Sequence, residues 1–231
     1  MPWFSKSLRR SQPARITLTT TAAAGARADA LLASWFLEFD SRGLPATWGV
    51  VTDDGGWPLG PQLLQSQVGH ELAMRMPQAG GDRGWTGIAA QATLARRAQL
   101  PLRSLIVSGD GVHPSLLARL GVEAVVTCSK GRLSRTGSLR AMAWNLWEIP
   151  VTDAAPQDAT RSRSQRFTSR LDAVIRHSTR MHLLLELGEG SEWLLSFLDG
   201  LAELRNRGII VIETVGMAAA EASRSMTSAA A

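Results

Sequence analysis

The chain has 231 residues, of which 45% are hydrophobic and 19% are charged, and its 25 basic and 20 acidic side chains give a formal net charge of +5. That length and composition suit a single α/β domain and exclude a disordered chain. No apolar run approaches the length of a membrane-spanning helix and the start lacks the apolar stretch of a secretory signal, so we expect a cytoplasmic protein without a membrane span.

Short β-like runs alternate with helical segments along the chain, which is the pattern of repeated β-α-β units and a parallel sheet. The predicted strands are 15–20, 46–51, 69–74, 103–108, 122–127, 143–149, 181–185 and 209–213. The predicted helices are 29–42, 62–67, 85–99, 114–120, 164–177 and 192–207. Seven or eight parallel strands with helices between them predict a (β/α) barrel, complete or distorted, and an open doubly wound sheet is the alternative.

The two ends of the chain differ in composition from the rest. We expect a basic N-terminal arm over residues 1–14, a barrel over 15–216, and an Ala/Ser-rich tail over 217–231 that is a frayed helix or disordered. The arginines are scattered except for one strip, residues 161–170, whereas nucleic-acid binders gather them on one face. We interpret the strip as the solvated start of a helix that ends at His177, and we expect no nucleic-acid partner.

Four segments, in the right order, resemble the polysaccharide deacetylases, also called the NodB-like family. Residues 43–51 (GLPATWGVV) resemble that family's GIPATFFV stretch, and residues 69–73 (GHELA) resemble its GHEIG segment. Residues 104–126 resemble its FRPPYG…LL..LGF.AVV region, and residues 182–214 resemble its closing LLHD…LL..LRERGY.FVTL region. The resemblance extends over most of the predicted barrel and implies that family's (β/α) fold.

The resemblance also implies a chemistry against which this chain can be compared. Members usually remove an acetyl group from N-acetylated sugar polymers, using a divalent metal held by one Asp and two His, a second Asp as general base and a late His as general acid. In this chain the family's aspartates fall on Thr20 and Thr21, its metal histidines on Arg75 and Ala79, and its late histidine on Leu185 or Glu186. An arginine at a ligand position places a permanent cation where the metal belongs. We therefore expect a lost metal site and no cofactor.

Four acidic residues are weak candidates for a relocated catalytic site: Asp53, Asp54, Glu71 and Asp110. The first two restore the letters of the family's TFDDGP motif, but they follow the second predicted strand rather than the first. The Asp-Gly and Gly-Gly pairs at that point are also typical of a turn. Because a strand end at a barrel mouth is where ligands bind, the loop is a contact candidate even without catalysis.

Two further residues have a structural interpretation that we favour over a catalytic one. Glu71 is expected near the barrel mouth, where a pair with Arg75 or His70 would satisfy it without acid–base chemistry. Cys128, the single cysteine, follows a predicted strand, and with no histidine near it in sequence we expect an inert thiol. A single cysteine also excludes an internal disulfide and a multi-cysteine metal cluster.

Several tryptophans fall at predicted strand ends or in loops: Trp48, Trp57, Trp85, Trp144 and Trp147. Because indole faces stack on sugar rings, we take Trp57 and Trp85 as candidates for ligand stacking, and burial in the core is the alternative. The sequence thus favours a catalytically inactive relative that binds a glycan or supports polysaccharide metabolism. One alternative is an active carbohydrate amide or ester hydrolase with a relocated acidic site. The other is an interaction protein with a filled mouth, whose arginine-rich helix or tail binds an unknown partner.

Overall fold

In a computed structural model, the chain forms a curled sheet with helices packed on its outer face, and the structure describes residues 12–22, 28–50, 59–76, 82–108, 113–128, 137–155, 161–188 and 192–229. The strands are β1 (Ala14–Ala22), β2 (Thr47–Val50), β3 (Glu71–Arg75), β4 (Ser104–Ser108), β5 (Ala124–Cys128), β6 (Arg140–Ala141), β7 (Trp147–Pro150), β8 (Asp153–Ala155), β9 (Arg180–Leu187) and β10 (Ile210–Glu213). The helices are α1 (Ala28–Ser41), α2 (Gly60–Gln65), α3 (Asp82–Arg97), α4 (Pro114–Leu120), α5 (Arg161–His177), α6 (Glu192–Asn206) and α7 (Val215–Ala229).

The described strands close into a distorted barrel. Strands β5, β4, β3, β2, β1 and β9 are hydrogen-bonded in that order, all parallel. The bent segment 147–155 joins the two edges, because its first half, β7, pairs with β5 and its second half, β8, pairs with β9. At the bend, the Val151 amide donates to the Thr127 carbonyl over 3.1 Å and the Thr152 amide donates to the His182 carbonyl over 3.0 Å. The predicted (β/α) barrel of seven or eight parallel strands is confirmed in a distorted form, with seven strands when β7 and β8 are taken as one bent strand.

Two strands lie outside this ring. β6 pairs antiparallel with the start of β7, so the two strands form a hairpin. The strand predicted over 143–149 is wrong for residues 143–145, which form the turn of this hairpin, and correct from Trp147 onward. β10 pairs with the first half of β1, Ala14 to Thr17, on the same edge that β2 occupies from Thr19 onward. β10 therefore lies at the end of the barrel formed by the amino ends of the strands, which we call the lower end. We call the opposite end, formed by the carboxyl ends, the mouth.

The sheet separates two apolar layers. On β1, Ile16 and Leu18 pack with the buried residues of the helices, whereas Thr17 and Thr19 are buried on the inner face because successive side chains of a strand alternate. The outer layer also contains Leu32, Phe36 and Phe39 of α1. A smaller inner cluster fills the barrel with side chains of β3, β4, β5, β7, β9 and α7: Ala73, Ile106, Val126, Ile149, Leu184 and Ala218.

Helix α7 closes the lower end of the barrel. Val215, Ala218 and Ala219 are buried in the inner cluster, and Trp147 Nε1 donates to Ser223 Oγ over 2.8 Å. The tail expected from residue 217 onward is part of this helix. Its alanines favour the helix because alanine has the highest helix propensity, and their short side chains let the helix lie close to the strand ends. No helix in the described parts of the chain is both long and apolar enough to cross a membrane.

Candidate functional site at the barrel mouth

The mouth gathers four of the residues that the sequence singles out. Thr20 and Thr21 lie near the end of β1, Arg75 ends β3, and Glu186 is the second-last residue of β9. β1 and β9 are in register so that Thr21 lies directly beside Glu186. In (β/α) barrels, ligands bind at this end of the strands.

Only one of the two threonines belongs to the inner face. Thr20 lies beside Trp48, which packs outward against Phe36, and its hydroxyl donates to the Thr47 carbonyl over 3.4 Å. Thr21 lies beside Gly49 on the inner face. Both threonines are buried, and neither can bind a cation as a carboxylate would, because a hydroxyl carries no negative charge.

Arg75 links two strands of the mouth that are not neighbours in the sheet. Its Nη1 donates a hydrogen bond to the Ala22 carbonyl over 2.7 Å, so its side chain reaches past the end of β2 to the end of β1. By the resemblance, the family's aspartates stand at the end of β1, and one of its metal-binding histidines stands at the position of Arg75. The Arg75 guanidinium therefore binds the end of β1 directly after Thr20 and Thr21, the two positions of the family's aspartates.

The barrel below Arg75 is filled by side chains. Ile106 lies beside Arg75 in register and extends across β3 to Gly49, where an added Cβ would overlap its Cδ1. The same Cβ would lie 3.0 Å from Thr21 Cγ2 and 3.2 Å from the Thr20 carbonyl oxygen. Gly49 therefore permits a close approach of three strands, for which a glycine within a strand is a recognised sign.

Glu186 and Cys128 complete the described part of the mouth. The Glu186 side chain is exposed, and Cys128, the last residue of β5, is half-buried. Burial, together with the nearby charge of Glu186, raises the pKa of the Cys128 thiol. A raised pKa keeps the thiol protonated at neutral pH, which agrees with the expectation of an unreactive cysteine.

The structure places Glu71 at the lower end of the barrel rather than at the mouth. Its carboxylate accepts hydrogen bonds from Thr47 Oγ1 over 3.0 Å, from the Gly216 amide over 2.7 Å, and from Ser104 Oγ. The expected pair with Arg75 or His70 is wrong, because Glu71 begins β3, at the far end of the strand from Arg75, and faces inward. Glu71 binds the start of α7, where a carboxylate is favoured by the free amides of the first helical turn.

A network of alternating charges fixes α7 and β10 at the same end. Arg15 and Arg180 each contact both Glu213 and Glu221, at distances from 2.6 to 3.2 Å, and Thr17 Oγ1 donates to Glu213 Oε1 over 3.2 Å. Glu213 is 2% exposed, so its charge is buried and compensated by both arginines. These contacts have a structural role and do not involve the mouth.

The two buried histidines are also engaged by the fold. The ring of His182 donates from Nδ1 to the Ile149 carbonyl over 3.3 Å, and its Nε2 accepts from the Thr19 hydroxyl over 2.8 Å. The ring of His70 packs beside Phe36 and accepts at Nδ1 from Trp48 Nε1. Burial lowers the pKa of each to about 4, so both rings are neutral at pH 7.

Several residues predicted for the site lie outside the described residues: Asp53, Asp54, Trp57, Ala79 and Asp110. Trp85 lies in α3, and its side chain is outside the description. Sequence reasoning missed the packing of Gly49 against Ile106, although a glycine within a strand is a signal of close approach. It also missed the role of Glu71 at α7, for which a single sequence carries no signal.

The described mouth does not suit a divalent metal. Metal sites of this kind need carboxylate and imidazole ligands, and the described residues include no group of three or more His, Cys, Asp or Glu side chains arranged to hold an ion. The described residues at the family's site positions are Thr20, Thr21, Arg75 and Glu186. Their side chains offer two hydroxyls, one guanidinium and one exposed carboxylate.

The sequence matches no protein-family model, and it matches none of the curated protein sequences. Among solved structures, the chain is similar to a Mycobacterium smegmatis protein assigned as a polysaccharide deacetylase, with 14% identity, a TM-score of 0.64, and coverage of 96% of this chain and 93% of that one. It is also similar to the Xyl-CE4 domain of a multidomain xylanase from the hindgut metagenome of Trinervitermes trinervoides, with 10% identity, a TM-score of 0.51 and 89% coverage of each chain. The chain therefore has the fold of the polysaccharide deacetylases.

Proposed function

We propose that this protein is a non-hydrolytic relative of the polysaccharide deacetylases that has lost the metal site and binds a glycan at its barrel mouth. The observation that carries the proposal is the hydrogen bond from Arg75 to the Ala22 carbonyl, which holds a permanent cation beside the end of β1. A divalent ion about 4 Å from that guanidinium would be repelled by about 8 kcal/mol at an effective dielectric constant of about 20. Arg75 cannot relieve this repulsion, because an arginine side chain keeps its positive charge in proteins.

The packing below the mouth supports the same conclusion. Ile106 is 2% exposed and lies against Gly49 and Thr21, so the inner face under Arg75 is apolar and closely packed. A metal-bound water and the polarised carbonyl of a deacetylation substrate need a polar space in which charge can develop. Because this packing fills the barrel on the lower side of Arg75, the ligand binds on the outer side of Arg75, at the mouth, and not beside a catalytic group deeper in the barrel.

A carbohydrate ligand fits the side chains that the described mouth offers. Arg75 supplies hydrogen-bond donors and the exposed Glu186 carboxylate supplies acceptors, and sugar hydroxyls use both. The solved structures with this fold are named for a polysaccharide deacetylase and for a domain of a xylanase, so a polysaccharide is the ligand class that the fold favours.

The test is a calorimetric titration of the full chain with a tetramer of N-acetylglucosamine and with xylotetraose. We expect one of them to bind wild type, and Arg75→Met to weaken that binding by about tenfold, the effect of losing about 1.4 kcal/mol of polar contacts. The matched control is Arg103→Met, which removes an equal charge from an exposed side chain that precedes β4 at the lower end. Failure of both sugars to bind, or equal binding by wild type and Arg75→Met, contradicts the proposal and favours an interaction protein with a filled mouth.

A further inference from the structure

Trp144 occupies a backbone conformation that tryptophan rarely adopts. It has φ 65° and ψ 33°, and the next residue, Asn145, has φ 57°, so two successive residues without a glycine lie in the left-handed region. The Leu146 amide donates to the Ala143 carbonyl over 3.4 Å across these two residues. This is the pattern of a type I′ turn between β6 and β7, in which asparagine, aspartate and glycine are the favoured residues. A bulky residue at the first position is therefore strained.

The turn is held firmly on both sides. Met142 packs against the main core, Leu146 is 1% exposed, and the Met142 amide donates to the Leu146 carbonyl over 2.8 Å. The strain at Trp144 is thus maintained by the surrounding structure, as it is at many functional sites. Asn145, in contrast, tolerates this conformation well.

The strained side chain gains no burial in return. Trp144 is 69% exposed, whereas Trp35, Trp48 and Trp147 are at most 9% exposed. Of the five tryptophans whose side chains are described, Trp144 is the one that faces solvent. A residue that adopts an unfavourable backbone conformation without a compensating contact in the folded chain points to a role in binding another molecule.

The surroundings of Trp144 fit a sugar ring better than a protein partner. The other exposed large hydrophobic residues of the described chain, Leu37, Met217 and Met226, lie on α1 and α7 and not on the β6–β7 hairpin. A stable protein interface needs about 800 Å² on each side, with several apolar neighbours around an aromatic anchor. A sugar ring needs one flat indole face and nearby polar groups, and the same hairpin exposes Asn145 and Arg140.

We infer that Trp144 and Asn145 form a second saccharide-binding site, at the lower end of the barrel and separate from the mouth. The indole stacks on the apolar face of a pyranose ring in a neutral, linear oligosaccharide, and the exposed amide of Asn145 binds its hydroxyls. This inference does not depend on the proposed function, because the turn precedes β7 and lies at the opposite end of the strands from Arg75.

The experiment combines stability with binding in three variants. Trp144→Asn places the favoured residue in the turn and removes the indole, so we expect the melting temperature to rise by about 2–4 °C and saccharide affinity at this site to fall by about tenfold. Trp144→Phe keeps an aromatic face and the strain, so its affinity should fall less and its melting temperature should not rise. Leu37→Ala removes another exposed apolar side chain and should leave binding unchanged.

Titrations of xylotetraose and of the N-acetylglucosamine tetramer are made in the Arg75→Met background, so that binding at the mouth does not mask the second site. Binding that persists in this background and is lost on adding Trp144→Asn supports the inference even if the proposed mouth site fails. The inference is overturned if neither sugar binds in this background, if Trp144→Asn leaves binding unchanged, or if it lowers the melting temperature. It is also overturned if Trp144→Asn instead abolishes self-association of the wild type or its binding to anionic lipid vesicles.

Discussion

Arg75 and Ala22 are joined by a hydrogen bond of 2.7 Å from a guanidinium on β3 to a backbone carbonyl on β1, with β2 between them. The contact links these two strands through a permanently charged group. In the proposed function, this one interaction both holds the two strands of the mouth together and disfavours a cation between them.

The contribution of this contact to stability is measurable. Arg75→Met leaves the Ala22 carbonyl without this donor and removes a charge-assisted hydrogen bond, so we expect the free energy of unfolding to fall by about 1–2 kcal/mol. Arg75→Lys should lose less, because the ammonium keeps the charge. Urea unfolding at pH 7 provides the measurement, and Arg103→Met, at an exposed ion pair of 3.7 Å, should change stability by less than about 0.5 kcal/mol. An equal loss of unfolding free energy in Arg75→Met and Arg103→Met would show that the Arg75 contact stabilises the protein no more than an exposed ion pair does.

The packing of Gly49 gives a second prediction. Gly49→Ala adds a methyl group that overlaps Ile106 Cδ1, so we expect a loss of about 1–3 kcal/mol in the free energy of unfolding. Ile106→Val removes that Cδ1 atom, so the double variant should be more stable than the sum of the two single losses predicts. Strict additivity in this double-mutant cycle would show that Ile106 does not fill the space beside Gly49.

Much of the barrel could be predicted from the sequence, since the alternation of strands and helices and the order of the family-like segments both survive in the structure. The bent strand 147–155 could not, because β8 falls in a stretch that reads as a Pro-containing loop and is held by pairing with the distant β9. Glu71 shows the same limit. The sequence predicts its strand, but the strand begins at residue 71 rather than 69 and α7 docks against its start. Glu71 therefore lies at the lower end of the barrel. Long-range packing decides both outcomes, and local patterns do not contain it.

Glu71 itself should prove structural. Glu71→Gln replaces one carboxylate oxygen with a group that cannot accept, so one of its donors, Thr47, Ser104 or the Gly216 amide, loses its partner. We expect a loss of about 1–3 kcal/mol, with faster amide hydrogen exchange in the first turn of α7 and no change in saccharide binding. Glu192→Gln, in the exposed first turn of α6, is the control and should stay within about 0.5 kcal/mol of wild type. A loss of sugar binding in Glu71→Gln with unchanged stability would assign Glu71 to a ligand site.

The buried histidines predict a dependence of stability on pH. Burial lowers the pKa of His70 and of His182 to about 4 in the folded chain, whereas an unfolded histidine titrates near 6.5. Between these values the unfolded state binds more protons, so stability is complete above about pH 6.5 and is lost as the pH falls toward 4. Each histidine should contribute up to about 3 kcal/mol of this loss.

Urea unfolding at pH 7.0 and at pH 4.5 tests this assignment. The difference between the two pH values should shrink by about 2–3 kcal/mol in His182→Gln, and by a similar amount in His70→Gln if the first variant does not fold. His177→Gln, at an exposed position in the last turn of α5, should lose as much stability on acidification as wild type. Equal losses in all of these proteins would rule out the buried rings as the acid-sensitive groups.

A measurement of acetate release decides whether the protein is a deacetylase. The full chain is incubated with N-acetylglucosamine oligomers and with acetylated xylan, with and without added Zn²⁺ or Co²⁺, and acetate is followed by proton NMR. The proposed loss of the metal site predicts no acetate above the protein-free background under any metal condition. Metal-dependent acetate release that scales with protein concentration would contradict it, and would point to a relocated acidic site that includes Asp53, Asp54 or Asp110.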